Sequence, residues 1–87
     1  MKWVTKFEAP WCGSCKQMKP LLDKLVEDGV ITLNTVDISI SPQAAQAAGV
    51  RAVPTLIVYD EVVGDVEIGR FYSVSPNFLE AINVKQE

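Results

Sequence analysis

Cys12 and Cys15 are the only cysteines in this chain, two residues apart in the run Trp11-Cys12-Gly13-Ser14-Cys15-Lys16. Two thiols at that spacing are placed to exchange a disulfide. A tetrahedral metal site normally takes four protein ligands, and the chain has no histidine and no further cysteine to complete one. A structural staple explains the pair poorly, because closing so short a loop contributes only about 2 kcal/mol in the chain-entropy model. Reactivity is the better account, with a metal or iron-sulfur carrier bridging two chains as an open alternative.

The elements that must position these thiols follow from periodicity. Residues 2–7 alternate as a strand does, and Met18, Leu21, Leu22, Leu25 and Val26 recur at helical spacing after the cysteines, ending near Asp28-Gly29. A second strand is expected over 30–36. Ser41-Pro42 is an N-cap and first-turn signal for a short alanine-rich helix that stops at Gly49. The apolar run 55–59 suits a buried central strand, 61–65 a turn, and 66–68 a fourth strand. Ser75-Pro76 repeats the cap signal ahead of a helix carrying Phe78, Leu79 and Ile82 on one face. Trp3, Phe7 and Phe78 are expected in the core.

The order β-α-β-α-β-β-α implies an α/β fold with a four-stranded mixed sheet flanked by helices. The first two strands, joined by a crossover helix, should be parallel and the last two antiparallel. No repeat, low-complexity tract or linker divides residues 1–87, which read as one domain. An apolar fraction of 48% against 22% charged residues fits a compact chain. The cysteines then fall at the carboxyl end of the first strand, the edge where open α/β sheets place their sites.

Cys12 lies just before or within the first helical turn, where unpaired N–H groups and the helix dipole favour an anion. That lowers a thiol from about 8.5 toward about 7, near the optimum for an attacking thiol. Cys15, one turn further in, faces the same side as Met18 and Leu22 and is expected to be less exposed. Cys12 is therefore the attacker and Cys15 the resolving thiol. Lys16, Lys19, Arg51 and Arg70 can add positive potential near them, although solvated scattered charges are the plainer reading. Asp37 reads as a turn residue.

The segment from Phe7 to Lys16 resembles the active-site segment of the thioredoxin superfamily, with Ser14 in place of the usual proline. The likeness covers nearly the whole chain and implies a minimal thioredoxin-like fold. Pro20 falls where thioredoxins carry a helix-kinking proline. Arg51-Ala52-Val53-Pro54-Thr55-Leu56 is similar to the family's cis-proline loop, which implies a cis Val53-Pro54 bond facing the cysteines and binding extended substrate backbone. Gly69 matches a family glycine bordering the same groove. The implied substrate surface is Trp11, Val53, Pro54 and Gly69, with Arg70 beside it. Trp11 and Pro54 also admit the ordinary readings of partly exposed packing and a strand-start proline.

The chain departs from the pattern at Lys6, where thioredoxins carry a buried aspartate, and at Leu33, which aligns with that aspartate's lysine partner. A buried Lys6 would favour thiolate if charged, act as a base if desolvated, or snorkel to solvent. Lys6, Gly13, Ser14 and Lys16 are thus candidate modulators of the pair. The glutathione clamp of glutaredoxins looks incomplete, with Ala52-Val53-Pro54 and Gly69-Arg70-Phe71 in its place.

The resemblance implies a protein-disulfide reductase with no bound cofactor beyond the redox-active disulfide. It would be recycled by a thioredoxin-reductase-like flavoprotein, with ribonucleotide reductase among its candidate targets. Glutathione-coupled reduction and a redox-responsive binding module without turnover are the alternatives. A monomer is expected. The start at Met1 has no basic n-region and apolar stretch, and a cytosolic CxxC is more often catalytic than structural, so a cytoplasmic location is expected. No apolar run approaches the roughly eighteen residues of a membrane span, and a net charge of -3 argues against a nucleic-acid partner.

Overall fold

The structure, a computed structural model, describes residues 2–60 and 66–83. Seven elements follow in order: β1 (Lys2–Glu8), α1 (Gly13–Glu27), β2 (Ile31–Asp37), α2 (Pro42–Ala48), β3 (Thr55–Tyr59), β4 (Glu67–Phe71) and α3 (Pro76–Ala81). The sheet is ordered β2-β1-β3-β4. β1 runs parallel to β2, the two being joined by the crossover helix α1, and β3 lies antiparallel to both β1 and β4. This is the mixed sheet that the element order implies. The turn expected over 61–65 lies outside the described residues.

β3 takes the interior of the sheet because almost nothing in it needs water: Leu56, Ile57 and Val58 are fully buried and Thr55 nearly so. Strand side chains alternate, so each face of the sheet acquires its own core. On one face Val4, Ile31, Leu56 and Val58 meet Met18 and Leu22 of α1 and Phe78 and Ile82 at α3. On the other, Phe7 and Ile57 meet Ala45 of α2. Helices therefore cover both faces, and β1 connects the two cores to the cysteine segment that follows it.

Local chemistry sets the helix ends. α1 closes with Gly29 in the left-handed region at φ 73°, and the amides of Gly29 and Val30 donate to the carbonyls of Val26 and Leu25 at 3.0 and 2.9 Å. Ser75 caps α3 by accepting from the Phe78 amide at 3.2 Å. Ser41 makes no side-chain cap bond, leaving Pro42 at the first turn as the start signal of α2. α1 runs through Pro20, whose missing N–H costs the Lys16 carbonyl its helical donor. Both residues are exposed, where water can take the donor's place.

Several expectations change. Trp3 is 51% exposed, not core. At about 1.5 Å per residue the seven-residue α2 spans roughly 10 Å, against about 23 Å for β1, and it sits over the Phe7 end. Leu21 and Val26 are exposed because they lie on the two flanks of the Met18–Leu22–Leu25 stripe. β4 occupies Glu67–Phe71, not 66–68, because pairing with β3 carries it on to Phe71 opposite Leu56.

Candidate active site

α1 begins at Gly13, so Cys12 is its N-cap residue, with φ -89° and ψ 99°. Its Sγ accepts a hydrogen bond from the Cys15 amide at 3.1 Å. The chain turns out of β1 through a bond from the Cys12 amide to the Ala9 carbonyl at 3.1 Å, and the Ile38 amide holds the Glu8 carbonyl at 2.9 Å. Cys12 and Cys15 are joined by a disulfide, their Cα atoms 5.3 Å apart. Both are buried, Cys12 at 6% and Cys15 at 2% exposure, so Cys12 is the more exposed residue of the pair. Once the disulfide opens, a first-turn amide and the positive end of α1 stabilise negative charge on Cys12 Sγ.

Val53 reaches this cluster from the opposite side, packing with Ile38 against Ala9, Cys12 and Cys15. The Val53-Pro54 peptide is cis and Pro54 is buried. Thr55 Oγ1 donates to the Ala52 carbonyl at 2.7 Å and closes the loop on itself. Trp11 stands 70% exposed beside Cys12. Gly13 and Ser14 are exposed in the first turn, and a Cβ at Gly13 would meet no atom within 4 Å, so the approach there is open. Cys12, Cys15, Trp11, Val53 and Pro54 thus share one end of the sheet.

Gly69 and Arg70 do not join them. Gly69 pairs with Val58 inside β4, four residues along β3 from Pro54, or about 13 Å at strand rise. The antiparallel register instead brings Tyr72, just past the end of β4 and 62% exposed, to the Pro54 end. Tyr72 and Ser14 line one apolar pocket of about 200 Å³ with Met18 and Leu21. Arg70 Nε and Nη2 donate to both carboxylate oxygens of Glu67, at 2.8 and 3.0 Å, and these bonds hold the Glu67 carboxyl below its ordinary range.

The four cations do not gather as one group. Lys16 and Lys19 border a cleft of about 120 Å³ beside Cys15, whereas Arg51 borders a separate pocket against α2. Lys19 donates to Asp23 at 2.6 Å, and that bond, reinforced by the carboxylate charge, raises its pKa. Asp37 is the turn residue its sequence suggests. Its Oδ1 accepts from the Ser39 hydroxyl at 2.5 Å and the Ser39 amide at 2.8 Å, the hydroxyl chiefly lowering the carboxyl's pKa.

Lys6 does not snorkel. It is 3% exposed, its Nζ donating to the Cys15 carbonyl at 3.0 Å and pairing with Glu8 Oε1 at 2.8 Å. Glu8 was missed in the sequence, although positions two apart on a strand share a face and a Lys-x-Glu spacing carries the signal. Tyr72 and Ile38 were missed too. Tyr72 is reachable only by counting the β3–β4 register, and Ile38 had no motif to mark it.

The thioredoxin family model matches residues 1–73. The chain belongs to the thioredoxin family. It is 37% identical over 71 residues to thioredoxin 1 of Nostoc sp., an alignment covering 72% of this chain and 66% of that one. It is 41% identical over 69 residues to the H-type thioredoxin of Chlamydomonas reinhardtii, covering 76% and 61%. Its fold superimposes with a TM-score of 0.75 on oxidised mitochondrial thioredoxin 3 of Saccharomyces cerevisiae, at 35% identity over 91% of this chain and 73% of that one. The matches span 35% and 37% of the lengths of the chloroplastic thioredoxins of Zea mays and Arabidopsis thaliana. The thioredoxin pair of features, a disulfide at a helix N-terminus and a cis-proline loop packed on it, is complete within the described residues.

Proposed function

We propose that the chain is a thiol-disulfide oxidoreductase that reduces protein disulfides through Cys12 and Cys15. The observation that supports this most is the Cys12 sulfur at the N-cap of α1, held by the Cys15 amide at 3.1 Å and faced by Val53. In the reduced protein the Cys12 thiolate attacks one sulfur of a substrate disulfide and the other leaves as a thiolate. The Cys15 sulfur then attacks Cys12 Sγ, restores the Cys12–Cys15 bond and releases the second substrate thiol. An extended substrate segment laid along the Val53 backbone, with Trp11 on its flank, presents its sulfur to Cys12.

No bound cofactor takes part in this reading beyond the disulfide itself. Electrons come from a thioredoxin-reductase-like flavoprotein, and ribonucleotide reductase is a candidate client. The protein works as a monomer in a reducing compartment, the cytoplasm by this reading, because a dithiol that reduces other proteins must be regenerated there. Insulin reduction tests the reading. Many turnovers per molecule are expected when a thioredoxin-reductase flavoprotein and NADPH supply electrons, with little recycling by glutathione alone. Efficient recycling by glutathione would make it a glutaredoxin-type enzyme. Absence of turnover with either system would leave a redox-responsive binding module.

A further inference from the structure

Lys6 lies on the face of β1 that packs beneath α1, among Val4, Leu22, Leu33 and Leu56, where a charge is costly unless it is paired. It is an ammonium held at 3.0 Å from the Cys15 carbonyl and 2.8 Å from Glu8. The cleft of about 120 Å³ that it lines also reaches Cys15, Lys16, Lys19 and Asp37, whose charged groups can hydrogen-bond water there. Glu8 is one-third exposed, with 32% of its side chain open to solvent, so the pair bridges the interior and the cleft.

We propose that Lys6 is a positioning residue for the resolving step: its buried charge makes Cys15 a better nucleophile, and Glu8 limits how much of that charge Cys15 feels. This rests on the disulfide-exchange reading above. In that step the Cys15 thiol gives its proton to water in the cleft, and the ammonium beneath the first turn stabilises the thiolate left behind. The thiolate forms a bond to Cys12 Sγ while the bond from Cys12 Sγ to the substrate sulfur breaks. The substrate sulfur leaves with the bonding pair and takes a proton from solvent. Cys15 is oxidised, the substrate sulfur is reduced, and no further reactant is required.

The charged and titratable groups facing Lys6 are few. Glu8 shares its strand, Lys16, Lys19 and Asp23 approach from α1, and Asp37 stands at the end of β2. Lys19 and Asp23 are bonded to each other, and Asp37 is occupied by Ser39, which leaves Glu8 as the carboxylate that pairs with Lys6.

The test uses the reduced full chain and the aromatic disulfide 5,5′-dithiobis(2-nitrobenzoate). Attack by Cys12 releases one nitrothiobenzoate in a reagent-dependent phase. Attack by Cys15 on the mixed disulfide releases the second in a phase independent of reagent concentration. In Lys6→Met the pH midpoint of the second phase is expected to rise by about one unit, slowing it about three-fold at neutral pH because the more basic thiolate is the stronger nucleophile. Lys6→Arg should restore much of the rate. Glu8→Gln, which keeps the buried cation, should move the midpoint downward and serves as the readout if Lys6→Met does not fold. An unmoved midpoint in folded Lys6→Met, or an upward shift in Glu8→Gln, would overturn the proposal alone. Absence of the second phase in the unsubstituted chain would overturn both the proposal and the exchange reading.

Discussion

Cys12→Ser is expected to lose protein-disulfide reduction by on the order of 10³-fold or more, to the uncatalysed background, because a serine hydroxyl cannot replace the thiolate that begins the exchange. The structure makes the two cysteines unequal. Cys12 is the N-cap residue and the more exposed of the two, whereas Cys15 lies inside the first turn with its amide donating to Cys12 Sγ. Cys15→Ser should therefore behave differently, attacking once and then holding its substrate as a covalent mixed disulfide visible on a non-reducing gel. Both variants should fold, since the disulfide closes a loop so short that its loss costs only about 2 kcal/mol. Equal activity in Cys12→Ser and the unsubstituted chain would remove the thiol mechanism.

Phe78→Ala is the substitution expected to cost most stability. Phe78 is fully buried where α3 closes the larger core, and its ring meets Phe71 edge-on with centroids 5.7 Å apart. Truncating such a ring costs about 3–5 kcal/mol through lost burial and the cavity left behind. A chain of this size has a total stability of only about 5–15 kcal/mol, so the melting temperature should fall by roughly 15 °C or more. Leu21→Ala supplies the comparison. Leu21 belongs to the helical apolar series but is 55% exposed, so its replacement should move stability by no more than about 0.5 kcal/mol. Thermal unfolding of the pair checks the burial pattern, and similar shifts in both would contradict it.

Leu21 also shows where sequence reasoning reaches its limit. Helical spacing identifies α1, but whether a residue at the edge of the apolar stripe is covered depends on the width of the sheet beneath it. Trp3 makes the same point on β1: strand alternation assigns its face, while the short α2 decides that this end of the face stays open. The element order and the senses of the β1–β2 and β3–β4 pairs were legible because a crossover helix and a short connection favour parallel and antiparallel pairing, whereas the antiparallel β1–β3 pairing was not. Cys12, Cys15, Val53 and Pro54 were legible because they sit in contiguous motifs. Gly69 was misplaced and Tyr72 missed for one reason, since both depend on the register between β3 and β4, which no local pattern encodes. Lys6 was recognised as a departure and the Lys-x-Glu spacing of β1 carries its pairing with Glu8, but the Cys15 carbonyl as partner emerges only when β1 and α1 are stacked.

A dithiol that reduces client proteins must be a strong enough reductant, so the reduction potential of the Cys12–Cys15 couple decides between a reductant and an oxidant. The protein would be equilibrated with a defined dithiol–disulfide buffer and the two states resolved by thiol alkylation. A potential near about -270 mV or below is the predicted result, low enough to drive reduction of client disulfides. A value above roughly -200 mV would contradict it and make the couple an oxidant, an isomerase or a glutathione-linked centre.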